Sequence, residues 1–516
     1  MYPGAHIASQ PAKLAIIAAD TGQTRTFAEL EGNSIRLARY LREMGVSAGE
    51  DIAFLSDNIP QVFEVYWAGL RSGFYVTGVN YHLTAGEAAY ILNDCGAKVL
   101  LVSASRLELA RQVLPLVPGL KASLVLDAAD VDGFISYSRV LAATPDDPLG
   151  DEPRGVDMLY SSGTTGQPKG VRAPLSGKQV GEAGADQLTA VFGKTFGFGP
   201  DTVYYSCAPT YHAAPLRFSG IVNALGGTVV LARRFDAEAA LAAIDDYAIT
   251  HSQWVPTMFV RMLKLPPEVR DRYDVSSLRV AIHAAAPCPV EVKQAMIDWW
   301  GPILHEYYSS TEANGITLVS PQEWLARPGT VGKAALGTIH ICDSSGEELP
   351  VGRDGLVYFE RDVLPFQYHN DPAKTAAATH PRHPTWTTTG DIGHVDDDGY
   401  LFLTDRAAFV IISGGVNIYP QEVENALALH PAILDVAVIG VPDHDLGQAV
   451  KAVVQVSPGV TPSPELADEI LRSLQGRLAR YKIPRSLDFA QTLPRSATGK
   501  LVKGALIGQY KQSPAA

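Results

Sequence analysis

Along residues 27–45, FAELEGNSIRLARYLREMG, apolar side chains return every three or four positions, which predicts an amphipathic helix with one buried stripe. Short unbroken apolar runs follow at DIAFLS (51–56) and AKVLLVS (97–103), the pattern of buried strands alternating with helices. The rhythm returns from residue 203 to residue 290, where GGTVVLA, THSQWVPT and LRVAIHAAA read as buried parallel strands and FDAEAALAAIDDYAI as an amphipathic helix. Layering of this kind predicts an α/β fold.

The texture changes toward the C-terminus. CDSSGEELPVGRDGLVYFE (342–360) and GHVDDDGYLFLTDR (393–406) are dense in Gly and Asp turns and predict β structure. From about Asp405 a compact α+β unit follows: a strand, a Pro-initiated helix in YPQEVENALALHP, strands in LDVAVIGV and AVVQVS, and a helix over SPELADEILRSLQGRLARY (463–481). Ser463 is placed to cap that last helix and Pro464 to occupy its first position. The expected organisation is a large N-terminal domain of layered α/β subdomains with a β-rich part (1–404), a hinge at 405–409, and a small C-terminal domain (410–516).

Composition narrows the function classes. With 516 residues, 46% hydrophobic and 19% charged, the chain can bury several cores and is not a disordered polymer. Its net charge of -13, from 42 basic and 55 acidic residues, disfavours nucleic acid or anionic lipid as a partner. Cys95, Cys207, Cys288 and Cys342 are scattered, without zinc-ligand spacing, which fits a reducing compartment. No segment approaches the roughly 20 apolar residues of a membrane span, and no basic leader precedes an apolar core at the N-terminus, so a cytoplasmic protein without a transmembrane segment is expected.

The chemistry concentrates at residues 160–171, YSSGTTGQPKGV. Three glycines admit a ligand close to the backbone, four hydroxyls (Ser161, Ser162, Thr164, Thr165) can donate to phosphate oxygens, and Lys169 adds charge. A surface loop is the plainer alternative, but hydroxyls this dense between glycines favour a phosphate cradle. It is not a Walker loop, because Gly163 and Gly166 are too close and Gly170, not Ser or Thr, follows the lysine.

This segment resembles the signature loop of the adenylate-forming superfamily, whose members include acyl-CoA synthetases, aryl-CoA ligases, luciferases and peptide-synthetase adenylation domains. Other stretches agree in order over nearly the whole chain: TYHAAPL (210–216), HAAAPCP (283–289), EYYSSTE (306–312), TTGDIG (388–393), DRAAFVIISGGVNIYPQEVE (405–424) and LPRSATGK (493–500). The resemblance implies an AMP-forming acid:CoA ligase using ATP, Mg2+ and CoA, with a carboxylic acid as the small-molecule substrate and a mobile C-terminal domain.

It also implies roles. Ser161, Ser162, Gly163, Thr164, Thr165, Gly166 and Lys169 would cradle the phosphates; Ala285, Ala286 and Pro287 would flank the adenine, with Tyr308 packed on it and Ser309 beside it; Asp391 would close a strand and hold the ribose, and Arg406 would join the nucleotide contacts. Glu312 and Thr165 would hold Mg2+, and Thr311 would meet the α-phosphate. Lys500 would sit between carboxylate and α-phosphate, two anions that must meet. Ser413, Gly414 and Gly415 would pass the pantetheine chain of CoA, and His212 would gate or line the acyl pocket, or else be a core histidine.

Four features depart from the pattern or leave it open. Ala408 stands where relatives often carry a charged pivot, and Ser309 stands where they carry glycine, which predicts a narrowed or redirected acyl channel. Arg477, Arg480, Lys482 and Arg485 form a basic cluster that is either a CoA-phosphate site or a solvated face. Trp254, His251, Phe218, Tyr211 and Tyr307 are candidate pocket walls, suiting a hydrophobic acid: a fatty acid first, an aryl acid second, with Arg217 keeping dicarboxylates open. The alternatives are transfer of the acyl group to a carrier protein or to oxygen, and a nucleotide-binding protein without catalysis; self-association as a homodimer stays open.

Overall fold

The computed structural model describes residues 1–161, 168–495 and 501–512. The chain forms two compact units: Met1–Gln253 with Pro267–Ala281 and Pro365–Thr375, and Trp254–Pro266 with Ile282–Leu364 and Ala376–Ala516.

In the first unit, six parallel strands line up as Ile135–Ser136, Ala122–Val125, Val99–Val102, Asp51–Leu55, Tyr75–Gly78 and Val156–Asp157. The middle strands are buried along their whole length, which is why they read as unbroken apolar runs. A second parallel set pairs Leu14–Ala18 with Thr228–Leu231, and that strand with Val203–Ser206. The helix Phe27–Glu43 forms as its pattern predicts; Thr26 and Glu29 close a reciprocal capping box, and Phe27, Leu30, Leu37, Ala38 and Leu41 turn inward.

The second unit carries an antiparallel run in the order Thr338–Cys342, Gly355–Glu360, Asp391–Val395, Leu401–Arg406, Thr330–Leu336, Ile316–Val319, Leu304–Tyr308. Its C-terminal part is a five-stranded sheet built on the long hairpin Ile433–Asp443 and Gly447–Val456, with Ile411–Ser413, Val416–Ile418 and Ser486–Phe489 at its sides. Helices Pro420–Leu427 and Pro464–Ser473 cover a core of Ile411, Val423, Leu427, Val438, Val450 and Ile470. Ser463 caps the second helix through Leu466 N at 3.2 Å, as expected. That helix ends ten residues on, not at Tyr481: Gly476 takes a left-handed φ of 79°, which breaks the periodic stretch into two pieces. Among the described residues no helix is long and apolar enough to cross a membrane, and all four cysteines are free.

Candidate active site

Ser161 and Lys169 face one another across the antiparallel strands Leu159–Ser161 and Lys169–Arg172. Residues 162–167 between them, with Ser162, Gly163, Thr164, Thr165 and Gly166, lie outside the described residues. Lys169 opens the strand Lys169–Arg172, so its positive charge stands at the described end of the loop. Its ammonium lies 5.0 Å from the Tyr368 ring centroid, a cation–π contact that steadies a long side chain. Gly170 has no room for a side chain: a Cβ would come within 2.6 Å of Met158 and 2.9 Å of the Tyr160 ring. Tyr160 in turn donates to Asp94 Oδ2 at 2.5 Å.

In the same unit, His212 is the residue before the helix Ala213–Ala224, half-buried, with its ring 4.5 Å from that of Tyr211. The proposed pocket walls resolve differently from expectation. Phe218 packs among Phe192, Phe196 and Phe198, and His251 bonds the Phe196 carbonyl at 3.0 Å and Thr250 at 2.8 Å, so both are core side chains with satisfied surroundings. Trp254, 1% exposed, is likewise packed against Phe259 and Trp300. Arg217 does not wait for a second carboxylate. Asp157 already takes its guanidinium in a two-pronged pair, Nε to both carboxylate oxygens and a terminal nitrogen to Oδ2 at 2.7 Å. Burial opposes the Arg217 charge, but Asp157 outweighs it and holds the group above its usual range.

The second unit gathers Tyr308, Asp391 and Arg406. Asp391 opens the strand Asp391–Val395 rather than closing one, because Gly390, at φ 84°, turns the chain immediately before it. Its Oδ2 accepts from Tyr308 Oη at 2.7 Å and Thr389 Oγ1 at 2.8 Å, and its Oδ1 from Arg406 Nε at 3.0 Å. Burial, then the neighbouring carboxylate, pushes the Tyr308 phenol well up, so it remains a donor at neutral pH. Burial would lower Arg406, but Asp391, with Tyr308 and Glu312, raises it. Thr389 carries no sequence signal of this role; beside it Thr388 makes the side-chain turn, its Oγ1 accepting from Gly390 N at 3.1 Å.

Residues 309–315 form a tight loop. Ser309 Oγ donates to the Gly315 carbonyl at 2.8 Å and Ser310 Oγ to Asn314 Oδ1 at 3.0 Å, so the loop carrying Thr311 and Glu312 is tied across its ends. The hydroxyl that replaces the family glycine therefore closes the loop, which its sequence position did not reveal. Ala313 (φ 48°) and Ala285 (φ 74°) are two of only four non-glycine residues with positive φ among the described residues. Such strain, of order 1–3 kcal/mol each, persists where surrounding structure imposes it and clusters at functional loops. Ala285 lies with Ala286 and Pro287 just after the strand Val280–His283. Glu312 is 8% exposed.

Ser413, Gly414, Gly415 and Val416 make a two-residue hairpin whose central φ values are 56° and 79°, so the glycines answer a type I′ turn requirement whatever else they do. Ile412 and Val416, beside them, are exposed. The basic cluster is mostly spoken for: Lys482 pairs with Glu422 at 2.6 Å, Arg477 with Glu291 at 2.7 Å, and Arg485 lies 3.8 Å from Asp443. Lys500 lies outside the described residues, but its flanks do not. Arg495 bridges to Leu501 and pairs with Asp435, while Lys503 reaches the buried Glu424 at 2.9 Å. Burial pushes Glu424 up against the pull of Lys503 and a bond from Val438 N. No sequence signal marks the Lys503–Glu424 pair, whose members stand 79 positions apart.

The sequence profile of AMP-binding enzymes matches residues 5–364, and that of the AMP-binding enzyme C-terminal domain matches residues 422–500. This chain belongs to the AMP-binding enzyme family. It is 33% identical over 492 residues to a feruloyl-CoA synthase of an Amycolatopsis species, covering 94% of this chain and 93% of that one. It is 28% identical over 519 residues to the long-chain-fatty-acid–CoA ligase FadD13 of Mycobacterium tuberculosis (97% and 96% covered). Among solved structures, the anthranilate CoA ligase AuaEII in complex with anthranoyl-AMP superposes with a TM-score of 0.86 at 25% identity, covering 98% and 96%. The protein is an AMP-forming acyl-CoA synthetase with the α/β fold of that family.

Proposed function

We propose that this synthetase activates an uncharged, hydrophobic monocarboxylic acid with ATP, releasing pyrophosphate, and passes the acyl group to the thiol of CoA. The observation that carries the monocarboxylate assignment is the Arg217–Asp157 pair: a guanidinium whose charge is already matched by an internal carboxylate attracts a second one far less than a lone cation would. An aryl acid is favoured over a long alkyl chain by the higher identity to the feruloyl-CoA synthase and the likeness to the anthranilate ligase. The four free cysteines suit a cytoplasmic setting.

Each role rests on the groups present. Asp391, oriented by Tyr308, Thr389 and Arg406, is the carboxylate for the ribose, and Ser161 and Lys169 flank the phosphate cradle. Glu312, a buried hard-oxygen donor, fits Mg2+, with Thr165 as the second candidate; bound there, the ion would neutralise phosphate charge. Lys500 supplies the cation between the two reacting anions, and the chain pivots at 405–409 so that the Ser413–Gly415 hairpin serves the thioester step.

Pyrophosphate release with ferulate, benzoate, laurate, palmitate and succinate, each with and without CoA, tests the proposal. Turnover of ferulate or benzoate to a thioester, with succinate inert, is expected. Turnover of succinate would overturn the monocarboxylate assignment, palmitate as the fastest acid would overturn the aryl preference, and pyrophosphate without a thioester would point to another acceptor.

A further inference from the structure

The segment leading into His212 is fixed by side chains other than those assigned above to the nucleotide and CoA. Asn58, in the turn after the strand Asp51–Leu55, is 3% exposed. Its amide nitrogen donates to the carbonyls of Ala208 and Ala232, each at 2.9 Å, and its carbonyl accepts from Thr210 N at 2.9 Å. Ala208 and Ala232 lie just beyond the C-terminal ends of the parallel strands Val203–Ser206 and Thr228–Leu231, the edge at which α/β sheets place their ligands. One planar group therefore sets the backbone two and four residues before His212.

The adjacent Asp57 secures the same loop through side chains. It holds Arg106 by a two-nitrogen pair; the Arg106 guanidinium lies 3.9 Å from the Tyr81 ring centroid; Tyr81 meets Tyr211 edge-on at 5.1 Å; and Tyr211 abuts His212. Gly78 lets the loop lie this close, since a Cβ there would be 2.7 Å from Tyr211 Cα. Tyr211, expected as a pocket wall, is thus a peg driven into the Asp57–Arg106–Tyr81 stack.

We propose that Asn58 is a positioning residue for acid activation, setting the place of His212, with the Asp57–Arg106–Tyr81 stack as its second fixing point. The inference rests on the reading, implied by the family resemblance of TYHAAPL, that His212 lines the acyl pocket of the proposed ligase. Only asparagine meets the geometry: two N–H donors and one acceptor are needed on one short side chain. Aspartate would turn a carboxylate toward two carbonyls, serine has one donor, and glutamine is a methylene too long.

The test is a double-mutant cycle on the full chain, using Asn58→Ala, His212→Ala and the double variant, with kcat and KM for ATP and for whichever of ferulate, benzoate, laurate and palmitate turns over fastest. Asn58→Ala should lower kcat/KM for the acid by about tenfold or more with the ATP KM held, because misplacing a group by an ångström is that costly. In the His212→Ala background the same change should cost roughly threefold or less, since nothing remains to position. Multiplicative losses, or an equal rise in the ATP KM, would overturn the proposal in favour of a purely structural role. Arg106→Ala, at a partly exposed side chain, carries the same cycle if Asn58→Ala does not fold. A wild-type protein inert toward every acid would count against the ligase assignment, whereas activity with independent variants would count against Asn58 alone.

Discussion

Asp391 and Arg406 stand opposite one another on paired antiparallel strands, and Arg406 Nε donates to Asp391 Oδ1 at 3.0 Å. The register of two strands thus orients the carboxylate assigned to the ribose, and Tyr308 and Thr389 hold its other oxygen. Tyr308→Phe removes one of those donors while keeping the ring. The expected result is a rise in the ATP KM of roughly fivefold, about the worth of one hydrogen bond, with kcat little changed. ATP titration of pyrophosphate release measures it; an unchanged KM would show that Tyr308 does not orient Asp391.

Ser309 closes the 309–315 loop, so Ser309→Gly should do two things at once. Loss of the bond to Gly315 O should lower the unfolding free energy by about 1 kcal/mol, and the freed space should broaden the acids accepted. Denaturant unfolding and the acid panel read these separately. A destabilised variant with unchanged specificity would place the hydroxyl in the loop but away from the acyl channel.

Asp51, 2% exposed, predicts a pH dependence of stability. Burial pushes its carboxyl up to about 7, against the pull of Arg172 and Thr77, from an unfolded value near 3.8. Between those values the folded chain keeps a proton that the unfolded chain releases, so stability is lost as pH rises through the window, by up to about 4 kcal/mol at neutral pH. Asp51→Asn should remove that slope: thermal midpoints of variant and wild type should lie close at pH 4.5 and separate in the variant's favour by pH 8. Parallel curves would contradict the shift.

Lys503→Met leaves Glu424 buried without its cation and should cost roughly 3–5 kcal/mol, while the double change with Glu424→Leu should recover most of that loss. Lys500→Ala, three residues earlier, should act on chemistry instead, slowing adenylation by about a hundredfold or more while sparing thioester formation from supplied acyl-AMP. Unfolding midpoints and separate assays of the two half-reactions distinguish the two. Equal damage to both half-reactions by Lys500→Ala would contradict the pivoting of the C-terminal part.

Hydroxyls, charge and glycines gathered in one stretch are a local property, so Ser161, Lys169, Asp391 and the Ser413–Gly415 turn could be named as candidates by reading along the chain. The same holds for the helix Phe27–Glu43, whose capping box and buried stripe span a few consecutive turns. The helix predicted to reach Tyr481 failed because local periodicity continued past Gly476 after the backbone had stopped.

Contacts between distant positions were beyond such a reading. Arg217 looked free until the fold brought Asp157, 60 residues away, against it; Phe218 and His251 looked like pocket walls until the Phe192–Phe198 cluster closed around them. Asn58, Glu424 and Lys503 carry no local pattern at all. A side chain's type is a property of the sequence, but its charge balance, burial and orientation depend on partners that only folding assembles. The order of motifs therefore identified the chemistry, and the tertiary structure decided which polar groups already have partners inside the protein.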